Sequence, residues 1–463
     1  MAKAHFIGIG GSGLSAIARL LLERGDAVTG SDRELSPFAA DVQRAGATVY
    51  IGHHPRHVGD ADFVVRSSAI PDDNPEVQAA LKANIPVYKR AEFIGQLMQD
   101  KVGIAVAGTH GKTTTTAMLA WVLTRLERDP SFIVGSVMSN LGVNAHAGKG
   151  NTFVIEADEY DRMFLGLKPR IEIVTNLEHD HPDCYPTYDD MCAAFASFVD
   201  LLPADGTLIV SAEDSGSAAL IPQARKAGKA VVSYAIQGEM TINSPNWVQA
   251  HGVEPNAYGG MTFRVASNIT DDLTPVKVEM RVPGEHNVRN ALAVLAVVDL
   301  LGLSKREAAK ALGEFKGTGR RFEIVGEMKG VTVIDDYAHH PTEIKATLAA
   351  ARSQYPQDRI WAVWQPHTYS RTQALFTEFS RAFADADEVI VSEVYASREP
   401  KQEFSSAEVV SAMPHPSARY IAELSDISEY LLEHLKPGDV LLVLSAGDAN
   451  RICRDVLFKL KGR

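Results

Sequence analysis

Short apolar runs alternate with stretches of helical spacing along almost the whole chain. Apolar runs bounded by turn residues read as strands, and the amphipathic stretches between them read as helices covering a sheet. In the first part, Phe6–Ile9, Ala27–Gly30, Thr48–Ile51 and Phe63–Arg66 are the predicted strands. A second part begins near Lys101. There Val102–Ala107 reads as a buried strand and Thr115–Leu126 as the helix after it, with Phe153–Glu156, Ile171–Asn176 and Thr207–Val210 as further strands. The segment Gln237–Val282 is more polar and β-rich, and it reads as a small side sheet. Ala291–Leu303 is apolar nearly all round, as a buried helix is. A third alternating part starts around Gly317, with strands at Val331–Asp335, Ile360–Trp364, Glu388–Ser392 and Val440–Leu444. Such alternation predicts α/β architecture with mainly parallel sheets. The expected plan is three domains: an N-terminal Rossmann-like unit over 1–97, a central phosphate-loop (P-loop) α/β unit over 98–316, and a C-terminal Rossmann-like α/β unit over 317–463.

A chain of 463 residues suits roughly three domains. Its 45% hydrophobic and 22% charged residues are ordinary for a globular protein. A net charge of −12 argues against a nucleic-acid partner held by counterion release, but leaves room for an anionic small substrate in a local basic pocket. Cys184, Cys192 and Cys453 have no paired spacing, so free thiols in a reducing compartment are expected. No basic leader precedes the first strand, and the apolar helix Ala291–Leu303 is too short for a bilayer and carries Asp299. A cytoplasmic protein is expected.

The motifs narrow this further. Gly108-Thr109-His110-Gly111-Lys112-Thr113-Thr114 lies between a strand and a helix. Backbone N–H groups at a helix start, a lysine and a hydroxyl that can reach Mg²⁺ make a phosphate cradle. Its spacing is shorter than the standard phosphate loop. Gly8-Ile9-Gly10-Gly11-Ser12-Gly13 is a second glycine loop in strand–helix context, with Asp32 at the end of the next strand where a ribose-binding acid belongs. It predicts a nucleotide diphosphate. A second phosphate loop in one chain counts against a dehydrogenase, since hydride transfer needs no nucleoside triphosphate.

Glu156-Ala157-Asp158-Glu159 and Thr175-Asn176-Leu177-Glu178-His179-Asp180-His181 both follow strands, where hard-metal ligands or plain surface turns occur. The His-x-His invites a zinc reading that no second ligand frame supports. Asn287 and Asn290 in Pro283-Gly284-Glu285-His286-Asn287-Val288-Arg289-Asn290 share a helix face and can read an adenine edge, although capping by Asn287 explains the spacing as well. Gly317-Thr318-Gly319-Arg320-Arg321 is a basic glycine turn at a domain boundary. Asp335-Asp336-Tyr337-Ala338-His339-His340-Pro341-Thr342-Glu343 and Gln365-Pro366-His367-Thr368-Tyr369-Ser370-Arg371-Thr372 each follow a strand. Three His, Arg and Asp clusters at sheet edges fit a shared cleft.

Taken in order, these motifs resemble the Mur ligases over essentially the whole chain. The resemblance is greatest to the members that join L-alanine to UDP-N-acetylmuramate with ATP and Mg²⁺ in peptidoglycan synthesis. It implies a UDP-sugar, not a nicotinamide, on Gly8, Gly10, Gly11, Ser12, Gly13, Asp32 and Ser68. It implies ATP on Gly108, Thr109, His110, Gly111, Lys112, Thr113, Thr114, His286, Asn287, Asn290, Arg320 and Asp335, and metal on Thr113, Glu156 and His181. Asn176 is implied near substrate or phosphate. Tyr337, His339 and Arg371 are implied at the acceptor, with Lys112, His339 and Arg371 as the catalytic groups. Tyr160 and Thr368 depart from many relatives, and Tyr160 is shared with the murein tripeptide ligase, which keeps a tripeptide acceptor as an alternative. A nucleotide sensor without catalysis is the alternative of another class.

Overall fold

The computed structural model describes residues 1–236 and 245–462. It has three α/β domains, each built on its own sheet. The first sheet comprises β1 (Lys3–Ile7), β2 (Ala27–Asp32), β3 (Thr48–Ile51), β4 (Phe63–Arg66) and β5 (Val87–Lys89). Its order is β3-β2-β1-β4-β5 and its pairings are all parallel. The order reverses at β1, and the glycine loop and helix Ser12–Glu23 follow that strand directly. This is the crevice where such sheets bind ligands.

The central sheet comprises β6 (Val102–Ala107), β7 (Ser131–Ile133), β8 (Ala145–His146), β9 (Thr152–Glu156), β10 (Ile171–Val174), β11 (Thr207–Ser211), β12 (Ala230–Ile236), β13 (Asn246–Pro255), β14 (Met261–Ser267) and β15 (Val276–Glu279). Its order is β15-β14-β13-β12-β11-β10-β6-β9-β7-β8. Ala105 and Ala107 of β6 face one buried cluster, while Ile104 and Val106 face another. Burial on both faces is why this strand reads as an unbroken apolar run. Helix Glu285–Leu300 packs on helix Lys112–Arg125 and on β12 and β13, with Val288 and Ala291 through Val298 in the same apolar cluster.

The expected side sheet is not separate. β13 joins β12 in parallel, and β14 and β15 follow antiparallel, so the segment extends the central sheet. Phe263, Val265 and Val278 bury one face of this extension among residues of the Glu285–Leu300 helix, and that apolar face draws the strands onto the sheet. Residues 237–244 of the segment lie outside the described residues.

The third sheet comprises β16 (Glu323–Met328), β17 (Val331–Asp336), β18 (Arg359–Gln365), β19 (Glu388–Val391), β20 (Ala418–Tyr420) and β21 (Asp439–Ser445), in the order β16-β17-β21-β18-β19-β20. It is parallel except for β16 at its edge. Cys184, Cys192 and Cys453 are free thiols. No helix among the described residues is long and apolar enough to cross a membrane.

Candidate active site

The phosphate loop joins β6 to helix Lys112–Arg125. Gly111 sits at φ 81°, which only glycine adopts without strain, and a Cβ there would come within 2.8 Å of Asn290 Oδ1. The helix therefore starts at Lys112, three residues before the expected Thr115. The loop is pinned to the one after β10: Thr109 Oγ1 donates to Glu178 O (3.0 Å), and His110 N–H donates to Asn176 Oδ1 (2.8 Å). Asn176 thus uses its side chain to shape the loop, donating in turn to His110 O at 3.1 Å.

Lys112 does not face solvent. Its ammonium donates to Gly108 O (2.6 Å) and Thr109 O (3.1 Å) and lies 2.9 Å from Glu159 Oε1. Burial works against its charge, but Glu159 and Asp158 hold its pKa above the usual lysine value. It therefore carries a charge inside the loop.

Beside it stand two carboxylates, Glu159 buried and Glu156 half-buried. Glu156, at the end of β9, accepts from Thr113 Oγ1 (2.8 Å) and Gly135 N–H (2.6 Å). Burial raises its pKa against the pull of Lys112 and Thr113. Glu159 lies 3.6 Å from His181 Nε2, and its Oε2 is buried without a hydrogen-bond partner. Two pairs thus stand beside the loop: Thr113 with Glu156, and His181 with Glu159, the latter also held by Lys112. An under-satisfied carboxylate there suits a hard cation, and these oxygen donors fit Mg²⁺. His179 does not share the site, because its Nε2 donates to Tyr185 O at 2.8 Å. The zinc reading of His-x-His falls with it.

A cavity of about 520 Å³ opens next to the loop. His110, Gly111, Thr114, Asn176, His286, Asn287 and Asn290 line it from the central domain, and Arg321, Phe322, Asp336 and Thr347 from the third. Asn287 is not a helix cap: the N-cap is Gly284, and Asn287 Nδ2 donates to Pro283 O at 2.7 Å. Its Oδ1 accepts from Asn290 at 3.2 Å, which aims the pair at the cavity. Burial, aided by Arg289 and Arg321, lowers His286 to about 4, so its imidazole is neutral near pH 7. Arg320 and Asp335 are not among the lining residues. The Arg320 guanidinium donates to Ser445 O and Gly447 O and lies 3.4 Å from Asp335. Asp335 and Asp336 are successive residues of β17 and face opposite ways, so Asp336 lines the cavity in place of Asp335; Arg320 and Arg321 lie in the turn before β16, where Arg320 has φ 57°, and Arg321 is the one that lines it.

In the third domain, Tyr337 lies beneath the guanidinium groups of Arg320 and Arg321, at 5.0 and 5.1 Å from its ring centre. His339 Nδ1 is 2.9 Å from Tyr337 O, so Nδ1 carries a hydrogen. Arg371 is buried. Nε donates to Asp180 Oδ1 (2.8 Å), while the two Nη atoms lie 3.3 Å from His367 and 3.5 Å from His181. Its fork is engaged by these partners within the protein. Burial works against the charge of Asp180, but Arg371 and His181 hold that carboxyl well below the usual range.

In the first domain, Asp32 accepts from Gly10 N–H at 2.7 Å and so holds the glycine loop itself. A Cβ on Gly13 would overlap the Arg90 guanidinium, which also lies 3.4 Å from Asp158 of the central domain. Ser12 begins the helix after the loop, Gly8 has φ 88° and Gly11 N–H donates to Gly8 O at 3.2 Å. Ser68 lies just past β4, at the same sheet edge.

Comparison with known proteins agrees with this arrangement. Residues 3–102 match the family described as "Mur ligase family, catalytic domain", 106–298 the Mur ligase middle domain, and 320–447 "Mur ligase, glutamate ligase domain". A curated UDP-N-acetylmuramate–L-alanine ligase of Clostridium acetobutylicum is 42% identical to this chain, covering 97% of it and 96% of the relative. The chain belongs to the Mur ligase family. Its match to a ligase of the same name from Rubrobacter xylanophilus is also 42%, over 99% of this chain and all of the relative. The crystal structure of the UDP-N-acetylmuramate–alanine ligase MurC of Thermotoga maritima superposes with a TM-score of 0.79 at 28% identity, covering 100% of both chains. A murein peptide ligase of Psychrobacter arcticus gives 0.72 at 28%, over 100% of this chain and 99% of its own.

The fold of this Mur ligase brings together the phosphate loop, Glu156, His181 and the Asn287–Asn290 pair, which stand far apart in sequence. Sequence reasoning passed over Glu159, Glu178, Asp180, Arg321, Asp336 and Glu343, although each lies inside a motif already singled out. Arg90 lies in no motif, and nothing in the sequence marks it.

Proposed function

We propose that this Mur ligase joins L-alanine to the carboxylate of UDP-N-acetylmuramate, using ATP, in the cytoplasmic synthesis of peptidoglycan precursors. The observation that carries the proposal is the phosphate loop itself: His110, Gly111 and Thr114 line the cavity, while Lys112 and Thr113 of the same loop contact Glu159 and Glu156. The curated relatives named as L-alanine ligases support the same acceptor.

A carboxylate is a poor electrophile. One of its oxygens takes the γ-phosphoryl group, ADP leaves, and the acyl phosphate carries a good leaving group. The amine of L-alanine then attacks the acyl carbon, phosphate departs, and the amine loses a proton. Lys112 neutralises and positions the transferring phosphoryl group. Mg²⁺ held beside the loop, by Thr113 and Glu156 or by Glu159 and His181, would supply further charge neutralisation. The Asn287–Asn290 pair takes the adenine edge. His339 Nε2, the ring nitrogen left free by the Tyr337 carbonyl, orients or receives the amine proton. Asp180 and Arg371 hold the loops around this point rather than the acceptor itself. The glycine loop Gly8–Gly13, with Ser68 and Arg90 beside it, takes the UDP diphosphate. The working units are 1–97 for the UDP-sugar, 98–316 for ATP and 317–463 for the acceptor.

An ADP-release assay with UDP-N-acetylmuramate, ATP and a panel of acceptors tests the proposal. Turnover is expected with L-alanine. Preference for L-alanyl-γ-D-glutamyl-diaminopimelate would transfer the chain to cell-wall recycling, and no ADP release with any acceptor would leave a nucleotide sensor.

A further inference from the structure

The reaction above leaves Glu343 without a task, yet this carboxylate meets three functional loops at once. It lies in the first turn of helix Pro341–Gln354 and is 9% exposed. Its Oε2 accepts the His339 backbone N–H at 3.0 Å and lies 3.1 Å from His339 Nδ1. Its Oε1 lies 3.5 Å from Arg321 Nη1 and 3.3 Å from Nδ1 of His110, at the tip of the phosphate loop. The other ring nitrogen of His110 is 3.2 Å from Glu178 Oε2, and that oxygen accepts from Thr342 Oγ1 at 2.7 Å. His340 packs against the His110 ring, with centroids 4.6 Å apart. His110 and Glu178 belong to the central domain; Thr342 and Glu343 belong to the third.

We propose that Glu343 and His110 form a latch across the domain junction, making Glu343 a positioning residue that couples the phosphate loop to the His339 loop. The contact exists only when the third domain sits against the central one. In that state a single carboxylate fixes the acceptor histidine and braces the nucleotide loop together, so phosphoryl transfer is favoured when the acceptor side is in place and water is excluded. The charges agree with the geometry. Burial works against both, but Glu178 and Glu343 push His110 up to about 9, and His339 and His110 hold Glu343 well below the usual carboxylate range. His110, Glu178 and His340 also place ligand atoms within 4.8 Å of one another. A protonated His110 between two carboxylates has no lone pair for a metal, so this group acts as an ion-pair network.

The inference rests on the ligase reading, and the test keeps the two apart. With the full-length enzyme, UDP-N-acetylmuramate, ATP, Mg²⁺ and L-alanine, phosphate release and amide formation are measured side by side. Wild type should release one phosphate per amide bond; its failure to release any would count against the ligase reading alone. Glu343→Gln should lower kcat by about tenfold or more. It should also release more phosphate than amide, because a loosened junction lets water consume the acyl phosphate. His110→Asn should do the same, and it decides the matter if Glu343→Gln does not fold. The double variant should be little worse than either single one, as expected of two residues acting through one contact. Losses that multiply in the double variant, or a phosphate-to-amide ratio that stays at one while only the melting temperature falls, would overturn the latch. So would stoichiometric zinc or manganese bound to wild type and lost in His340→Ala.

Discussion

At the scale of single residues, burial decides how a charged side chain behaves. Lys112 is enclosed by loop carbonyls and Glu159. Replacing it with alanine removes a transition-state contact, worth roughly a hundredfold or more in kcat. It also strands the Glu159 carboxylate, so the melting temperature should fall with the activity. An unchanged melting temperature in Lys112→Ala would mean that Glu159 finds another partner. Glu76 gives a pH prediction remote from the cavity. Its buried carboxylate accepts from Ser31, His57 and the His54 backbone N–H, with His5 3.4 Å away. Burial works against its charge, yet these partners lower it from 4.5 to about 2. A depressed carboxyl contributes stability that is complete above its unfolded value and is lost as pH falls through the folded one. The stability difference between wild type and Glu76→Gln should therefore be constant from pH 7 to near 5 and shrink toward pH 2. Denaturant unfolding across that range measures it, and a flat difference throughout would refute the assignment.

At the scale of elements, the start of helix Lys112–Arg125 carries the nucleotide chemistry. Gly111 combines a left-handed φ with contact to Asn290, so the turn sets both the loop shape and the position of the amide pair. Gly111→Ala should cost about 1 kcal/mol or more through backbone strain alone. It should also raise the KM for ATP through displacement of Asn290, while binding of the UDP-sugar, measured by calorimetry, stays near the wild-type value. The elements themselves were legible wherever an apolar run had turn residues at both ends. β3 and β4 match the sequence reading at both ends, because Thr48–Ile51 and Phe63–Arg66 are bounded in that way. The helix start was misplaced because Thr113 to Thr116 are polar or β-branched and carry no apolar periodicity. The β13–β15 extension was misread because its alternating pattern fits a free sheet and a sheet edge equally well.

At the scale of the molecule, the central and third domains are tied by contacts of unequal weight. Arg371 and Asp180 form a buried pair, with side chains 5% and 4% exposed. Removing one partner of such a pair typically costs about 3–5 kcal/mol. Arg398 and Asp183, 2.6 Å apart, are more exposed, and Arg398 lies over the Tyr160 ring at 4.5 Å. A pair of that kind is worth about 0–1 kcal/mol. Arg371→Met should therefore lower stability and kcat/KM for every substrate together, whereas Arg398→Ala should change stability little. Calorimetric melting and steady-state kinetics compare the two directly. A stable Arg371→Met variant with a raised KM for L-alanine alone would return Arg371 to the acceptor.

The sequence alone determined the α/β class, the two glycine loops and the set of motifs. These depend on local patterns: apolar periodicity for the elements, and glycine at turns where the backbone must bend sharply. It also placed Asn287 and Asn290 on one helix face, since their spacing fixes that geometry. Only the tertiary structure decided which polar residues of each motif point inward and what they meet. Arg321 and Asp336 line the cavity in place of Arg320 and Asp335, Asp180 occupies Arg371, and Glu343 reaches His110 across the junction. The physical reason is that ion pairing is non-local. A charge takes the nearest partner that packing provides, and packing between domains leaves no periodic trace in the sequence.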